Sequence, residues 1–159
     1  EYVGKPDDEY TVGVLFDKDG VYVNAIALRR SISGGLNCRI KVPNNTENKT
    51  LGPALLISSG ISQGEFGNYE NVLEQCIEIA KKLKATCSVN LQCRLVDGKV
   101  YLFEINPRFS GTTSLRAMVG YNEPDVLIRK HILNESIETG FAYRYAKIVR
   151  GLKEEIFFT

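Results

Sequence analysis

Residues 88–111 read SVNLQCRLVDGKVYLFEINPRFSG, and the pairing register of the two strands they predict decides what the protein can do. Val89, Leu91, Cys93 and Leu95 alternate with Asn90, Gln92 and Arg94 on the outgoing run. On the return, Tyr101, Phe103 and Ile105 alternate with Val100, Leu102, Glu104 and Asn106. Period-two alternation marks half-buried strands, and Asp97-Gly98 is a strong hairpin turn signal. A two-residue turn there sets Leu91 against Glu104, which mixes greasy and polar faces. A three-residue loop, Val96-Asp97-Gly98 with Gly98 left-handed, moves the register by one. It places all seven apolar residues on one face and Gln92, Glu104 and Asn106 on the other. Burial favours this second register, so it is the expected one.

On that reading Glu104 and Asn106 lie about 7 Å apart along the strand. Gln92 lies diagonally across from Glu104, about 7–8 Å away at the backbone and closer at the side-chain tips. One carboxylate and two carboxamides then share a patch. Oxygen-only ligation suits a hard cation, and magnesium commonly takes one or two protein carboxylates together with substrate phosphates. Arg108 follows on the same parity with a planar fork suited to phosphate. The same pattern also describes a solvated sheet face with a surface ion pair, and spacing alone leaves both readings open. No His or Cys accompanies the cluster, which argues against zinc.

Outward from this hairpin, residues 9–17 (EYTVGVLFD) and 21–30 (VYVNAIALRR) flank Lys18-Asp19-Gly20 and predict an earlier hairpin. Residues 33–35, Ser-Gly-Gly, read as a turn, since a phosphate loop would need a lysine and a following helix. Residues 41–68 are polar and turn-rich and read as a long surface loop with a short strand near PALLIS. Over residues 68–84, Val72, Leu73, Cys76, Ile77, Ala80 and Leu83 form one helical stripe. Acids crowd the first half of that helix and lysines its end, as its dipole prefers. A second helix is expected from about Pro124, carrying His131 in a structural role. Residues 143–149 and the EEIFF tail give two further strand candidates. The class expected is α+β, a mostly antiparallel sheet with helices packed on one face.

The bulk properties narrow the function. A 159-residue chain with 43% hydrophobic and 25% charged residues has the composition of an ordinary globular domain. A net charge of +1 gives no electrostatic footprint for nucleic acid or an anionic membrane. No apolar run approaches the roughly 18 residues of a membrane helix, and no signal peptide is evident. The four cysteines, Cys38, Cys76, Cys87 and Cys93, lack metal-ligand spacing and read as reduced, mostly buried thiols of a cytoplasmic protein. The chain opens on Glu1 and carries a single methionine, Met118, so a piece of a longer polypeptide is expected.

The segment SVNLQCRLVDGKVYLFEINPRFSG resembles the metal-binding strand pair of the ATP-grasp superfamily, most of all that of the carbamoyl-phosphate synthase large chain. The order of elements is also similar, and the likeness is diffuse only over residues 31–67. The resemblance implies that Gln92, Glu104 and Asn106 hold magnesium, or manganese in its place, against ATP phosphates. It implies that Arg108 steadies the transferred phosphoryl group. It gives Glu1, Tyr2 and Val3 to the adenine hinge and Glu9 to the ribose or substrate side, although Glu9 also fits the exposed edge of a hairpin. Arg29, Arg30 and Arg39 are candidates for an anionic substrate or for a solvated face. Residues 110–113, Ser-Gly-Thr-Thr, either line the substrate side or only turn the chain.

By the same resemblance, residues 1–159 form one C-terminal ATP-grasp subdomain, fragment of a chain whose other half carries the phosphate-binding lysines and glycine loop. The activity implied is a ligase that activates bicarbonate, carbamate or another acid as an acyl-phosphate for attack by an amine. Its partners are those small molecules and the other ATP-grasp half, with oligomerisation left open. The isolated piece is expected to be inactive. A non-catalytic magnesium–nucleotide module is the alternative function, and a plain scaffold domain the third.

Overall fold

The computed structural model describes residues 2–31 and 39–151. Glu1, residues 33–35, Cys38, the Arg39 side chain and the EEIFF tail lie outside the described residues. Strand β1 (Glu9–Phe16) and strand β2 (Tyr22–Arg30) form the expected first hairpin. Asp17 closes its turn. Its Oδ1 accepts from the backbone N–H of Asp19 at 2.9 Å and of Val21 at 2.8 Å. Its Oδ2 pairs with Lys130 Nζ at 2.9 Å.

Within residues 41–68 the short strand expected near PALLIS is present as one of two paired strands, and a third strand is added that the loop reading lacks. Strand β3 (Arg39–Pro43) and strand β4 (Ala54–Ser58) pair as a separate two-stranded ribbon, and β5 (Gly64–Phe66) adds to the edge of β2. Strand β3 alternates Ile40 and Val42 with Arg39 and Lys41, but the run is too short to stand out from the polar stretch that follows it. Helix α1 (Glu70–Lys82) follows, then β6 (Ser88–Val96) and β7 (Lys99–Asn106). Short helix α2 (Thr113–Met118), helix α3 (Glu123–His131) and strand β8 (Ala146–Ile148) complete the described chain. The main sheet is antiparallel throughout, in the order β7-β6-β1-β2-β5-β8.

Successive strand residues face opposite ways, so β1 divides the molecule. Tyr10, Val12, Val14 and Phe16 join Val89, Leu91 and Cys93 beneath Val72, Cys76 and Ala80 of α1. Leu83, predicted for the same stripe, is exposed, because the helix ends before it. On the other face Leu15, Ile26 and Leu28 pack with Leu115, Val119, Tyr121 and Val126 of the α2–α3 region. The α+β class with an antiparallel sheet stands. The helices, however, cover both faces, since one apolar face cannot bury both sets of alternating residues. Cys76 and Cys93 are buried and Cys87 is exposed. Hydrogen bonding with Cys76, together with burial, holds the Cys93 thiol well above its ordinary range.

The β6–β7 register corrects the three-residue loop. Asp97 and Gly98 both have positive φ, 49° and 74°, and make a two-residue turn. Leu95 faces Val100 and Cys93 faces Leu102. A bulge then leaves Phe103 extra, after which Gln92 faces Glu104, Leu91 faces Ile105 and Asn90 faces Asn106. Val100 and Leu102 therefore pack on the core, while Tyr101, Phe103 and Ile105 are exposed. The turn takes its preferred chemistry and one extra residue restores the sorting of faces.

Burial alone would raise the Asp17 carboxyl, but the Lys130 ammonium and the two backbone N–H groups outweigh it and hold it below its ordinary value of 3.8. A carboxyl depressed on folding stabilises above its unfolded pKa, and that contribution disappears as pH falls through the folded value. Between about pH 5 and pH 3 the melting temperature of the parent is therefore expected to fall more steeply than that of Asp17→Asn, as read by calorimetry over that range.

Candidate functional site

The polar face of β6 and β7 gathers the predicted patch. Gln92 Nε2 donates to Glu104 Oε2 at 2.7 Å, and Asn106 Nδ2 donates to Glu104 Oε1 at 2.6 Å. Arg108 follows, its Nη2 donating to Asn106 Oδ1 at 3.3 Å and its Nη1 to Phe109 O at 2.9 Å. The four side chains expected from spacing thus form one hydrogen-bonded row. Direct cross-strand opposition of Gln92 and Glu104 brings them closer than the diagonal the other register offered. Glu104 and Arg108 are exposed, Gln92 and Asn106 half-buried. Among the described residues no three His, Cys, Asp or Glu side chains group to hold a metal, so any cation site here depends on carboxamides.

Beside the patch lies a cavity of about 540 Å³ lined by Tyr2, Val3, Glu9, Ile57, Arg94 and Phe103, among others. Tyr2, Val3 and Glu9, predicted for the nucleotide, all reach it. The Arg94 guanidinium sits 4.2 Å from the centre of the Tyr2 ring and donates to Val3 O at 2.8 Å. Tyr2 Oη donates to Leu56 O at 2.8 Å, which draws the β3–β4 ribbon over the cavity. Glu9 is 1% exposed, which removes the exposed-edge reading. It pairs with Arg30 at 2.9 Å and with Arg94 at 3.4 Å. A buried acid between two buried guanidiniums is the arrangement that makes such burial tolerable.

The three candidate arginines separate. Arg30 is buried and bridges the two regions, its Nη1 donating to Glu9 Oε1 and, at 3.1 Å, to Gln92 Oε1. Its Nη2 holds the backbone oxygens of Ser59 and Ile61. Arg29 lies opposite Tyr10 and so projects from the α1 face, away from Gln92. His131 keeps its structural role, with Nε2 accepting from Lys18 N at 3.2 Å.

A second, smaller recess lies on the other side of the patch, among Thr11, Asn90, Arg108, Ser110 and Thr112. Residues 110–112 line it as well as turning the chain. Beneath it is a network that the sequence did not single out. Arg116 and Glu123 are both fully buried and pair at 3.1 Å. Glu123 also accepts from Ser88 Oγ at 2.9 Å and from Thr113 Oγ1 at 3.1 Å. Arg116 Nη2 reaches Asn90 Oδ1 at 2.6 Å. The guanidinium passes over Gly13, where a Cβ would fall on Arg116 Nη1. Strand parity could have placed Asn90 and Arg94 beside Gln92. Nothing local marks Arg116 or Glu123, which meet only through tertiary folding.

With this geometry in place, comparison with known proteins supplies the class. Residues 57–150 match the family described as "ATP-grasp in the biosynthetic pathway with Ter operon". The chain belongs to the ATP-grasp family. It is 29% identical over 108 residues to the carbamoyl phosphate synthase large chain of Gemmatimonas aurantiaca, covering 67% of this chain and 9% of that relative. Two crystal structures of D-alanine–D-alanine ligase from Bacillus anthracis, one complexed with ATP, align with 84% of the chain and with 41% and 42% of theirs. Their TM-scores are 0.42 each and their identities 15% and 17%. Among the described residues no helix is long and apolar enough to cross a membrane.

Replacing Glu9 by Ala leaves two buried guanidiniums uncompensated and is expected to cost about 3–5 kcal/mol, measured by urea denaturation. Replacing Gly13 by Ala forces the locked Arg116 fork to move and is expected to cost about 1–3 kcal/mol in the same measurement.

Proposed function

We propose that this chain is the C-terminal subdomain of a cytoplasmic, ATP- and magnesium-dependent ligase that resembles carbamoyl-phosphate synthase. The observation that carries the reading is the single row of Gln92, Glu104, Asn106 and Arg108 between a large cavity and a small polar recess. The cavity beside Tyr2 and Val3 has an apolar wall and a backbone edge suited to a purine. The recess beyond the patch has room for a small carboxylate-type acid. A nucleotide spanning the two would lay its phosphates across the row.

The donor set fits a hard cation. One carboxylate with two carboxamides is a typical partial shell to be completed by phosphate oxygens. In the present rotamers the amide nitrogens of Gln92 and Asn106 face Glu104 while their oxygens accept from Arg30 and Arg108, so offering oxygen to an ion would break both of those guanidinium contacts. Gln92, Glu104 and Asn106 would hold the ion, which supplies positive charge to phosphate oxygens when bound. Arg108 presents guanidinium N–H groups to the transferring phosphoryl group, where charge spreads over its oxygens.

The reaction proposed has two displacements. A carboxylate oxygen of bicarbonate, carbamate or another acid attacks the γ-phosphorus and ADP leaves. An amine nitrogen then attacks the acyl carbon, phosphate departs with the bonding pair, and the nitrogen gives up a proton. The protein forms no covalent bond in either step, so positioning and electrostatics carry the rate. The other ATP-grasp half, in the same polypeptide, would contribute the remaining phosphate contacts.

The test is ADP release by the full-length protein on a panel of small acids and amines. Glu104→Gln is expected to lower turnover at least about 100-fold, the scale of losing a transition-state stabiliser. Its melting temperature should stay within about 2 °C of the parent, because Glu104 is exposed and buries nothing. Unchanged turnover in Glu104→Gln would remove Glu104 from the mechanism.

A further inference from the structure

Asn90 is 2% exposed and lines the recess beside Arg108. Its Oδ1 accepts from two donors behind it, Arg116 Nη2 at 2.6 Å and Thr11 Oγ1 at 2.9 Å. A guanidinium can only donate, so the atom facing Arg116 must be the amide oxygen. The orientation of Asn90 is therefore set chemically. Its Nδ2 has no partner among the described residues. The nitrogen is not sealed inside the protein, so it is open to donate to a ligand in the recess.

The other walls agree with an anionic acceptor. The recess lining contains one guanidinium, three carboxamides and four hydroxyls, and no carboxylate. Ser110 Oγ and Thr112 Oγ1 lie 2.5 Å apart across its rim. That rim is tied to the same buried pair. Glu123 Oε2 accepts from Thr113 Oγ1, and Thr113 Oγ1 accepts from Ser110 N at 3.2 Å. Gly13 leaves the sheet bare where the Arg116 fork crosses it. One ion pair thus reaches both the floor and the rim of the recess.

We propose that Arg116, braced by Glu123, is a positioning residue that holds the Asn90 amide N–H₂ toward the recess, where it donates to an oxygen of a small oxyanion. The inference rests on the ligase reading above and deepens it, by assigning the acid-side recess a donor fixed from behind. Arg116 touches no substrate. Lysine cannot replace it, because a single ammonium cannot span Glu123 and Asn90 as a planar fork does. Asn90→Asp keeps an acceptor for Arg116 and Thr11 but turns an oxygen, in place of N–H, into the recess.

The experiment measures binding of inorganic phosphate to the full-length protein by calorimetry at constant ionic strength, without nucleotide or magnesium. ADP binding is measured alongside as a report on the neighbouring cavity. The parent is expected to bind phosphate saturably. Asn90→Asp is expected to weaken phosphate at least ten-fold, and to weaken it at least five-fold more than it weakens ADP. Arg116→Lys, folded by circular dichroism, is expected to lose at least five-fold in phosphate affinity. Should Arg116→Lys not fold, Thr11→Val, which removes the second donor to Asn90 together with one hydroxyl of the lining, is expected to lose two- to five-fold. No phosphate binding by the parent, or parental affinity in Asn90→Asp, would overturn the proposal. So would parental affinity in a folded Arg116→Lys, or in Thr11→Val when it stands in for that variant. Turnover of ATP with such unaltered affinities would sink this inference and spare the ligase reading. Phosphate held through Asn90 without any turnover would do the reverse.

Discussion

The extra residue at Phe103 reconciles two demands that a regular ladder cannot meet together. The Asp97-Gly98 turn, with both residues at positive φ, requires Val96 to face Lys99. Continued without interruption, that register would put Glu104 opposite Leu91. The bulge shifts the ladder by one residue between Cys93 and Gln92, and everything beyond it changes sides. Glu104 then meets Gln92, Asn106 meets Asn90, and Arg108 comes to stand beside them. The chemistry of the site depends on this one insertion, because a single-residue slip sends every later side chain to the wrong face.

Around that patch the protein pairs its buried charges, with Arg116 Nε the atom of these groups left without a partner among the described residues. Glu9 lies between Arg30 and Arg94, and Glu123 lies against Arg116 with two hydroxyls completing its shell. Each group joins elements far apart in sequence, so each fixes geometry as well as neutralising charge. Arg30 connects the nucleotide-sized cavity to Gln92 and to the backbone of residues 59 and 61. Arg116, on α2, connects β6 to α3, and Glu123 ties α3 back to Thr113 at the start of α2. Buried ion pairs add little net stability compared with apolar packing, but removing one partner is costly. Here they act as rigid joints at the edges of two recesses.

Much of this was legible in the sequence, and the reasons are specific. The β1–β2 hairpin, α1 and the membership of the Gln92–Glu104–Asn106–Arg108 row follow from strong local periodicities in residues 9–30 and 70–106. Face sorting alone favours a three-residue loop in the second hairpin and the Asp97-Gly98 turn favours two; the fold satisfies both with a bulge that has no glycine to announce it. Strand β4 is legible near PALLIS, but its partner β3 is not, since the ribbon lies beside a polar, turn-rich stretch and is held to Tyr2 through tertiary contact. Neither an anionic-substrate role nor a solvated face foretells the burial of Arg30, which comes from Glu9 and from carbonyls 29 and 31 residues away. Arg116 and Glu123 gave no signal at all, for neither sits in a motif.

The bulge has a further consequence at the periphery. Among the described residues strand β7 is an outermost strand of the main sheet, and such a margin offers unpaired N–H and C=O groups to any passing chain. Its outward residues Tyr101, Phe103 and Ile105 are large and exposed, a combination that invites ladder extension. Doubling one residue against its inner neighbour bends and twists the strand midway, so an incoming strand cannot keep a flat, continuous alignment along it. The irregularity that assembles the polar row therefore also guards this border of the sheet against sticking to others of its kind.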